Sequence, residues 1–328
     1  MIQITTQNRL VHLGRLNITL LSPVLRLLST YKTLNNSSIA EPVKLAYASY
    51  ESMKENLNLT INPIVIMHGL FGSKNNWNSL SKAIHQKSQR KVIAVDARNH
   101  GDSPHSSKMS YKHMAQDIVQ LLSDLEIKKA IVIGHSMGGS AMMYLALHYP
   151  QLIEKLVVVD MSPARASPNL TEMVKIFKVM NSIILDGIPS LSKARKTAEE
   201  QLAEVVKPLP LRQVFRSCHI LYHGYIYIYI KAEPGKYKWR VNLPVLEQNF
   251  STEIAIFPNV GGKVYTGPTL FIGGSNSDYI RIEDHPAIRK LFTRAEFLYI
   301  AGADHWVHAD KPAEFINIVT NFINQSHS

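Results

Sequence analysis

Cysteine is nearly missing from this 328-residue chain, and a lone Cys218 excludes both an internal disulfide and a zinc site built on several thiolates. Fourteen histidines are present, yet there is no His-Glu-x-x-His and no histidine pair with a nearby ligand set, so no metal is expected. No Gly-x-Gly-x-x-Gly occurs, which argues against a dinucleotide site. Gly69-x-x-Gly72-Ser73-Lys74 has the wrong spacing for a phosphate loop, and no cofactor is implied.

Acidic residues are scarcest at the start. Residues 1–40 carry Arg9, Arg15, Arg26 and Lys32 without one Asp or Glu, and hold 4 of the formal net charge of +11. An acid-free segment rich in Leu, Ser, Thr and Asn reads as a mitochondrial transit peptide, with the matrix as destination. Arg15, Asn17, Ser22, Pro23 and Arg26 break its apolar stretch too often for a membrane-spanning helix. A surface-lying amphipathic tail in peripheral contact with a membrane is the other reading. The remaining lysines and arginines are scattered, with no aromatic-interleaved stripe, so nucleic acid is not an expected partner.

What is present describes an ordinary globular protein: 45% hydrophobic and 19% charged residues, enough for one large domain. Val43, Leu45 and Tyr47 alternate as on a half-buried strand. All-apolar runs follow at Ile64–Met67, Val92–Val95, Ala130–Ile133 and Leu156–Val159, as in strands covered on both faces. Helical patterns separate them: Trp77, Leu80 and Ile84 in one, then Met114, Ile118, Leu121, Leu122 and Leu125 behind an N-cap at Ser110. Strands alternating with amphipathic helices imply an α/β fold with a doubly wound, mostly parallel sheet.

The pattern changes at residue 162. Met173, Ile176, Phe177, Met180 and Ile184 make one apolar helix face, ended by Gly187, and Leu202, Val205 and Val206 mark a second. Residues 162–250 thus read as a helical cap inserted into a core made of 41–161 and 251–328. Within 222–235, Tyr225 and Tyr227 alternate with Ile226, Ile228 and Ile230 in a stretch that fits neither neighbour, and a local hairpin strand is expected. The sheet resumes at Thr269–Ile272 and Phe297–Ile300. A last helix has Pro312 in its first turn and buries Phe315, Ile318, Val319 and Phe322.

The most informative run is Ile131-Val132-Ile133-Gly134-His135-Ser136-Met137-Gly138-Gly139, a serine flanked by glycines between a strand and a helix. A nucleophilic serine needs such a turn, sharp enough to lift the hydroxyl above the sheet. The base in this arrangement lies far downstream, and His305, on the loop after the last strand, is the candidate; His308 reads as ordinary. The acid is open between Asp160 and Asp278, each beyond a strand end, with Asp284 and Asp304 weaker. The oxyanion hole is expected from the amides of Met137, at the helix start, and Leu70, after Gly69. Met173, Phe177 and Met180 are expected to line an acyl site or to be plain core.

Three segments together, His68-Gly69-Leu70-Phe71-Gly72-Ser73, Asp96-Ala97-Arg98-Asn99-His100-Gly101-Asp102-Ser103-Pro104-His105 and Gly134–Gly139, resemble the alpha/beta hydrolase domain-containing serine hydrolases of mitochondria and their small bacterial esterase relatives. The resemblance runs from about Leu45 to Ile323. It implies an eight-stranded sheet with a helical cap, carboxyl-ester hydrolysis, and lipid esters such as diacylglycerol as substrates. By position Ser136 matches the nucleophile and His305 the base. The wider superfamily has an aspartate where this chain has Ser277, so Asp278 comes one residue late. The bacterial relatives place the acid after the earlier strand, which matches Asp160 and favours it. Asp304 stands where relatives have glycine. A thioesterase or acyltransferase with the same residues, and an idle protein that stabilises a mitochondrial enzyme partner, are the alternatives.

Overall fold

The apolar runs form a sheet buried on both sides, and their alternation decides which layer each side chain joins. The computed structural model describes residues 2–6, 41–52, 61–168, 170–184, 187–205, 228–229 and 237–326. Its strands are β1 (Ile2–Thr6), β2 (Tyr47–Ser52), β3 (Ile64–Met67), β4 (Val92–Val95), β5 (Ala130–His135), β6 (Ile153–Val159), β9 (Thr269–Gly274) and β10 (Ala295–Ile300), with β7 (Ile228–Tyr229) and β8 (Lys238–Trp239) apart from the main sheet. The sheet order is β1-β2-β4-β3-β5-β6-β9-β10. Every pairing from β4 to β10 is parallel, while β2 runs antiparallel to β4 and to β1.

Odd and even positions go to opposite faces, as the two-residue period of a strand requires. Val65, Met67, Ile93, Val95, Val132 and Val158 face helices α2 (Tyr111–Asp124) and α3 (Met137–His148), which return Met114, Ile118, Met142 and Leu145. Ile64, Ile66, Ile131, Ile133, Val157 and Ile272 face α1 (Asn78–Ser88) and α7 (Pro312–Asn324), which return Leu80, Ile84, Phe315 and Val319. Each fully buried aliphatic contributes about 1.5–3 kcal/mol, so covering both faces explains why these strands are apolar throughout. The Ser110 side chain caps α2 by accepting from the His113 N–H, as expected. Lys155, buried under the sheet end, donates to the carbonyls of Phe322, Ile323 and Gln325 at 3.0, 2.7 and 2.6 Å and so closes the C-terminus of α7.

Several boundaries differ from the sequence pattern. β2 begins at Tyr47 rather than Val43, because side chains take the preceding amides: Asp117 Oδ1 accepts from Val43 N–H at 2.8 Å and Ser103 Oγ from Ala46 N–H at 2.9 Å. Five residues of the segment read as a leader, Ile2–Thr6, lie along β2 at the sheet edge. They bring the strand number to eight; residues 7–40 lie outside the described residues. In the final helix Ile318 is only partly buried, and Ile323 takes a core place.

The inserted segment supplies α4 (Leu170–Ser182), α5 (Leu191–Val205) and α6 (Leu243–Asn249), the last continuing into a wide turn at Phe250–Ile254. Met173, Ile176, Phe177 and Met180 are buried as the helical period predicts, but α4 stops at Ser182, so Ile184 leaves the apolar face and is 75% exposed. Leu202 is buried; Val206 lies outside the described residues. The expected hairpin is present as the β7–β8 pair, although Tyr225, Ile226, Tyr227 and Ile230 lie outside the described residues, as does Cys218.

The segment from Asp96 to His105 is where this inserted part docks on the sheet. The Asp96 carboxylate accepts from Lys74 N–H at 2.6 Å, Lys74 Nζ at 2.6 Å and Asp102 N–H at 2.8 Å. Gly101, at φ +55°, lies so close that a Cβ there would sit 2.2 Å from the Asp96 carboxyl carbon. Asp102 then pairs with Lys74 on one side and Arg240, next to β8, on the other. Asn242 N–H donates to Asn99 O at 2.9 Å and its side-chain amide to Asn99 Oδ1 at 3.0 Å.

Candidate active site

The turn between β5 and α3 places Ser136 at φ 52°, ψ −117°, a conformation that costs a non-glycine residue about 1–3 kcal/mol. Its neighbours show why glycine is required. A Cβ on Gly134 would come within 2.2 Å of Gly138 O, and one on Gly138 within 2.5 Å of Met67 O, so the turn closes only without side chains there. The Ser136 N–H is anchored to Val159 O at 3.0 Å. Phe71 and Asp160 also have positive φ, 62° and 49°, so strained backbone gathers around one site.

His305 follows β10 on its loop, and its Nδ1 lies 2.6 Å from Asp160 Oδ2, beyond the end of β6. Asp160 is fully buried. Its Oδ1 accepts from Gly274 N–H at 3.2 Å, and Oδ2 also accepts the Ser277 hydroxyl proton. Burial pushes the Asp160 carboxyl up to about 8, against the Ser277 and Gly274 donors and the Arg165 charge, which favour the carboxylate. Burial likewise pulls His305 down to about 3, so its imidazole is held neutral, the form that accepts a proton. Asp278 stands elsewhere: its side chain is 72% exposed and pairs with Arg281 at 3.1 Å. Asp284 is engaged by Arg165 at 3.0 Å. Asp304 N–H donates to Asp310 Oδ2, and His308 stacks on Trp77 with ring centroids 4.3 Å apart, in the structural part of the loop.

Ser136, His305, Leu70 and Met137 line one cavity of about 50 Å³. Met137 is the first residue of α3, where the N–H has no helical carbonyl to meet and the helix dipole favours negative charge. Leu70 lies in a loop pinned by two buried histidines. His68 donates from Nδ1 to Gly69 O at 2.7 Å while its Nε2 accepts from Ala97 N–H at 3.0 Å. His100 donates from Nδ1 to Arg98 O at 2.9 Å, and its Nε2 accepts from Phe71 N–H at 3.3 Å. Accepting at Nε2 requires neutral rings, and burial lowers both, His100 to about 3. Gly69 O and Phe71 N–H are thus both committed, on either side of the Leu70 amide.

The rest of the cavity wall is mostly apolar, with Phe71, Met161, Met173, Phe250, Ile254 and Trp306 among its members, and His135, Ser167 and Tyr279 add polar groups to it. Met173 lines it as the sequence pattern allows. Phe177 stands one layer back, its ring 5.2 Å from Phe71 and 5.4 Å from Phe250, and Met180 is core. Sequence reasoning missed His68, His100, His135, Ser277 and Tyr279. All three histidines lie inside the motifs at 68–73, 96–105 and 134–139, but only the fold shows which backbone groups they hold.

A family described as alpha/beta hydrolase fold matches residues 62–182. The sn-1-specific diacylglycerol lipase ABHD11 of Xenopus tropicalis is 40% identical over 297 residues, 90% of this chain and 87% of that protein. The chain belongs to the alpha/beta hydrolase family. Esterase YbfF of Escherichia coli strain K12 is 33% identical over 267 residues, 80% of this chain and 93% of its own. Among solved structures, a marine microorganism esterase superposes with a TM-score of 0.71 at 32% identity, covering 85% of this chain and 99% of that one. The doubly wound sheet and the strand-turn-helix at Ser136 are the parts of the alpha/beta hydrolase fold that position the site.

Proposed function

We propose that this ester hydrolase works through an acyl-enzyme on Ser136, with His305 as base, Asp160 as the acid that orients it, and lipid esters such as diacylglycerol as substrates. The observation that carries the reading is the strained Ser136 turn opening into a mostly apolar cavity that the buried His305, bonded to Asp160, also lines. Ser136 Oγ attacks the ester carbonyl and its proton passes to His305 Nε2, while Asp160 stabilises the imidazolium. The tetrahedral oxyanion is met by the Leu70 and Met137 amides. Collapse releases the alcohol, which takes the proton from His305. Water then attacks the acyl-enzyme with His305 as base, freeing the carboxylic acid and restoring Ser136.

Apart from the polar groups that do this chemistry, the wall is mostly apolar, which suits an uncharged acyl group rather than an ionic one. Met173 and Phe250 of the inserted segment extend this apolar lining and offer a surface on which an acyl chain can lie. The names of the lipase and esterase relatives support the same substrate class. The acid-free composition of residues 1–40 supports a mitochondrial matrix location, checked by import of the full chain into isolated mitochondria and sequencing of the processed N-terminus.

The decisive measurement is labelling by an alkyl fluorophosphonate together with hydrolysis of mono-, di- and triacylglycerols, short nitrophenyl esters and matched thioesters. The expected outcome is labelling and ester turnover by the native chain, with diacylglycerol among the better substrates, and neither in Ser136→Ala. Equal labelling of Ser136→Ala would overturn the assignment, and a large preference for thioesters would move the chain to a thioesterase.

A further inference from the structure

The loop after β9 touches both partners of the His305–Asp160 pair, and its contribution is not that of a third acid. From Asp160's side, Ser277 Oγ donates to Oδ2, the same oxygen that faces His305 Nδ1, and Gly274 N–H donates to Oδ1 at 3.2 Å. From His305's side, the Tyr279 ring lies flat on the imidazole, centroids 3.6 Å apart and planes 18° from parallel. The loop is itself closed by Ser277 N–H on Gly274 O at 3.0 Å and Tyr279 N–H on Ser277 Oγ at 3.2 Å, so hydroxyl and ring are set by one turn. The imidazole also meets His135, tilted at 4.8 Å, whose Nε2–H donates to His305 O at 2.9 Å.

We propose that Ser277 and Tyr279 are positioning residues for the reaction: the Ser277 hydroxyl favours the ionised form of Asp160 and aims it at His305, and the Tyr279 ring stabilises the imidazolium that His305 becomes. The inference rests on the role given to Ser136, His305 and Asp160 above. A buried carboxylate with few donors is driven towards its neutral acid, which cannot orient a neutral imidazole or stabilise its cation; a hydroxyl on Oδ2 opposes that. A ring face within about 6 Å of a cation attracts it through the ring quadrupole, and the attraction grows as His305 takes the serine proton. Binding that strengthens in the transition state raises turnover rather than affinity. The phenol oxygen is not required for this, since the ring face does the work.

The other titratable groups facing the pair are His135 from β5, which burial keeps neutral, Arg165 after β6, Asp278 in the same loop and Tyr299 from β10. None is changed by the variants below, so a shift in pH profile reports the two substituted side chains.

The experiment measures kcat and KM for a nitrophenyl ester from pH 5 to 9 in the native chain, Ser277→Ala, Ser277→Thr, Tyr279→Phe and Tyr279→Leu, with thermal unfolding of each. Ser277→Ala is expected to move the acid limb of kcat/KM up by about one pH unit or more, and Ser277→Thr, which keeps the hydroxyl, to restore it. Tyr279→Leu is expected to lower kcat about tenfold with KM within threefold and to move the acid limb down, while Tyr279→Phe stays within twofold of the native chain. Unmoved limbs in Ser277→Ala and Tyr279→Leu overturn the proposal, as does an equal loss in Tyr279→Phe and Tyr279→Leu carried by KM. Should Ser277→Ala not fold, Ser277→Thr with a displaced limb overturns it on its own. Fluorophosphonate labelling of the native chain, absent in Ser136→Ala, separates failure of this proposal from failure of the underlying reading.

Discussion

His305 Nδ1 meets Asp160 Oδ2 at 2.6 Å, and the carboxylate reaches it from beyond β6, while the loop beyond β9 delivers Ser277 to the same oxygen. Two strand ends therefore converge on one imidazole, and only one of them brings a carboxylate. Asp160→Asn keeps the shape but loses the charge and favours the wrong imidazole tautomer, so kcat is expected to fall by roughly 10³–10⁴. Asp278→Asn, changing a 72% exposed side chain, is expected to stay within about twofold. Steady-state ester hydrolysis of the two variants decides between the carboxylates, and a larger loss in Asp278→Asn would reverse the assignment.

Arg98 and Asp117 form a fully buried pair, bonded through Nε at 2.7 Å and Nη2 at 2.6 Å. Arg98 also donates to Lys108 O at 3.1 Å, and Asp117 Oδ1 accepts in addition from Val43 N–H, tying the segment before β2 to α2. Removing one partner strands a charge in the core. Asp117→Ala is expected to cost about 3–5 kcal/mol in urea unfolding, the range for breaking a buried ion pair. Loss of under about 1 kcal/mol would show that water reaches Arg98 when its partner is gone.

The period of the apolar residues was enough to locate every buried parallel strand, because covering both faces leaves a continuous run that no surface segment imitates. Ser110 and Pro312 marked helix starts correctly for a local reason, one cap and one missing N–H. Ile184 misled because the helix ended two residues earlier, and periodicity carries no information past a helix end. In the site, Ser136 announced itself through the glycines its turn needs. Ser277 and Tyr279 did not, since a hydroxyl on a carboxylate and a ring on an imidazole are contacts between β6, the β9 loop and the β10 loop. Those residues are more than a hundred positions apart in two of the three pairings, and nothing local in the sequence encodes them.

His100 holds Phe71 N–H and thereby the loop that carries the Leu70 amide. Its loss does not remove an oxyanion donor but lets the donor drift, so the penalty should be smaller than the roughly 10²–10³ of deleting one outright. His100→Ala is expected to lower kcat about tenfold with KM nearly unchanged. A tetrahedral trifluoromethyl ketone inhibitor should lose affinity in proportion to kcat/KM. If the inhibitor binds the variant as tightly as the native chain, the loop does not depend on this histidine.

His68, His100 and His135 are buried to within 1% of complete, and burial lowers the pKa of each. Unfolding releases them to their ordinary value near 6.5, so below that pH the unfolded chain takes up protons that the folded chain refuses. Stability is therefore fully present above about pH 6.5 and falls as pH falls from there towards the folded values, about 3 for His100. A group that stays neutral when folded and takes a proton when unfolded contributes on the order of 1 kcal/mol per pH unit in that window. In the His305–Asp160 pair, His305, lowered by burial, adds to this slope, and Asp160, raised by burial, subtracts from it. Asp117, whose carboxyl burial also raises, subtracts from the slope. Thermal unfolding at pH 7.5, 6.5 and 5.5 is expected to show a steep drop between the last two, reduced by about one proton's worth in His100→Gln. A melting temperature that stays level across this range would mean that these imidazoles titrate in the folded chain, and the neutral acceptors assigned to Ala97 and Phe71 could not stand.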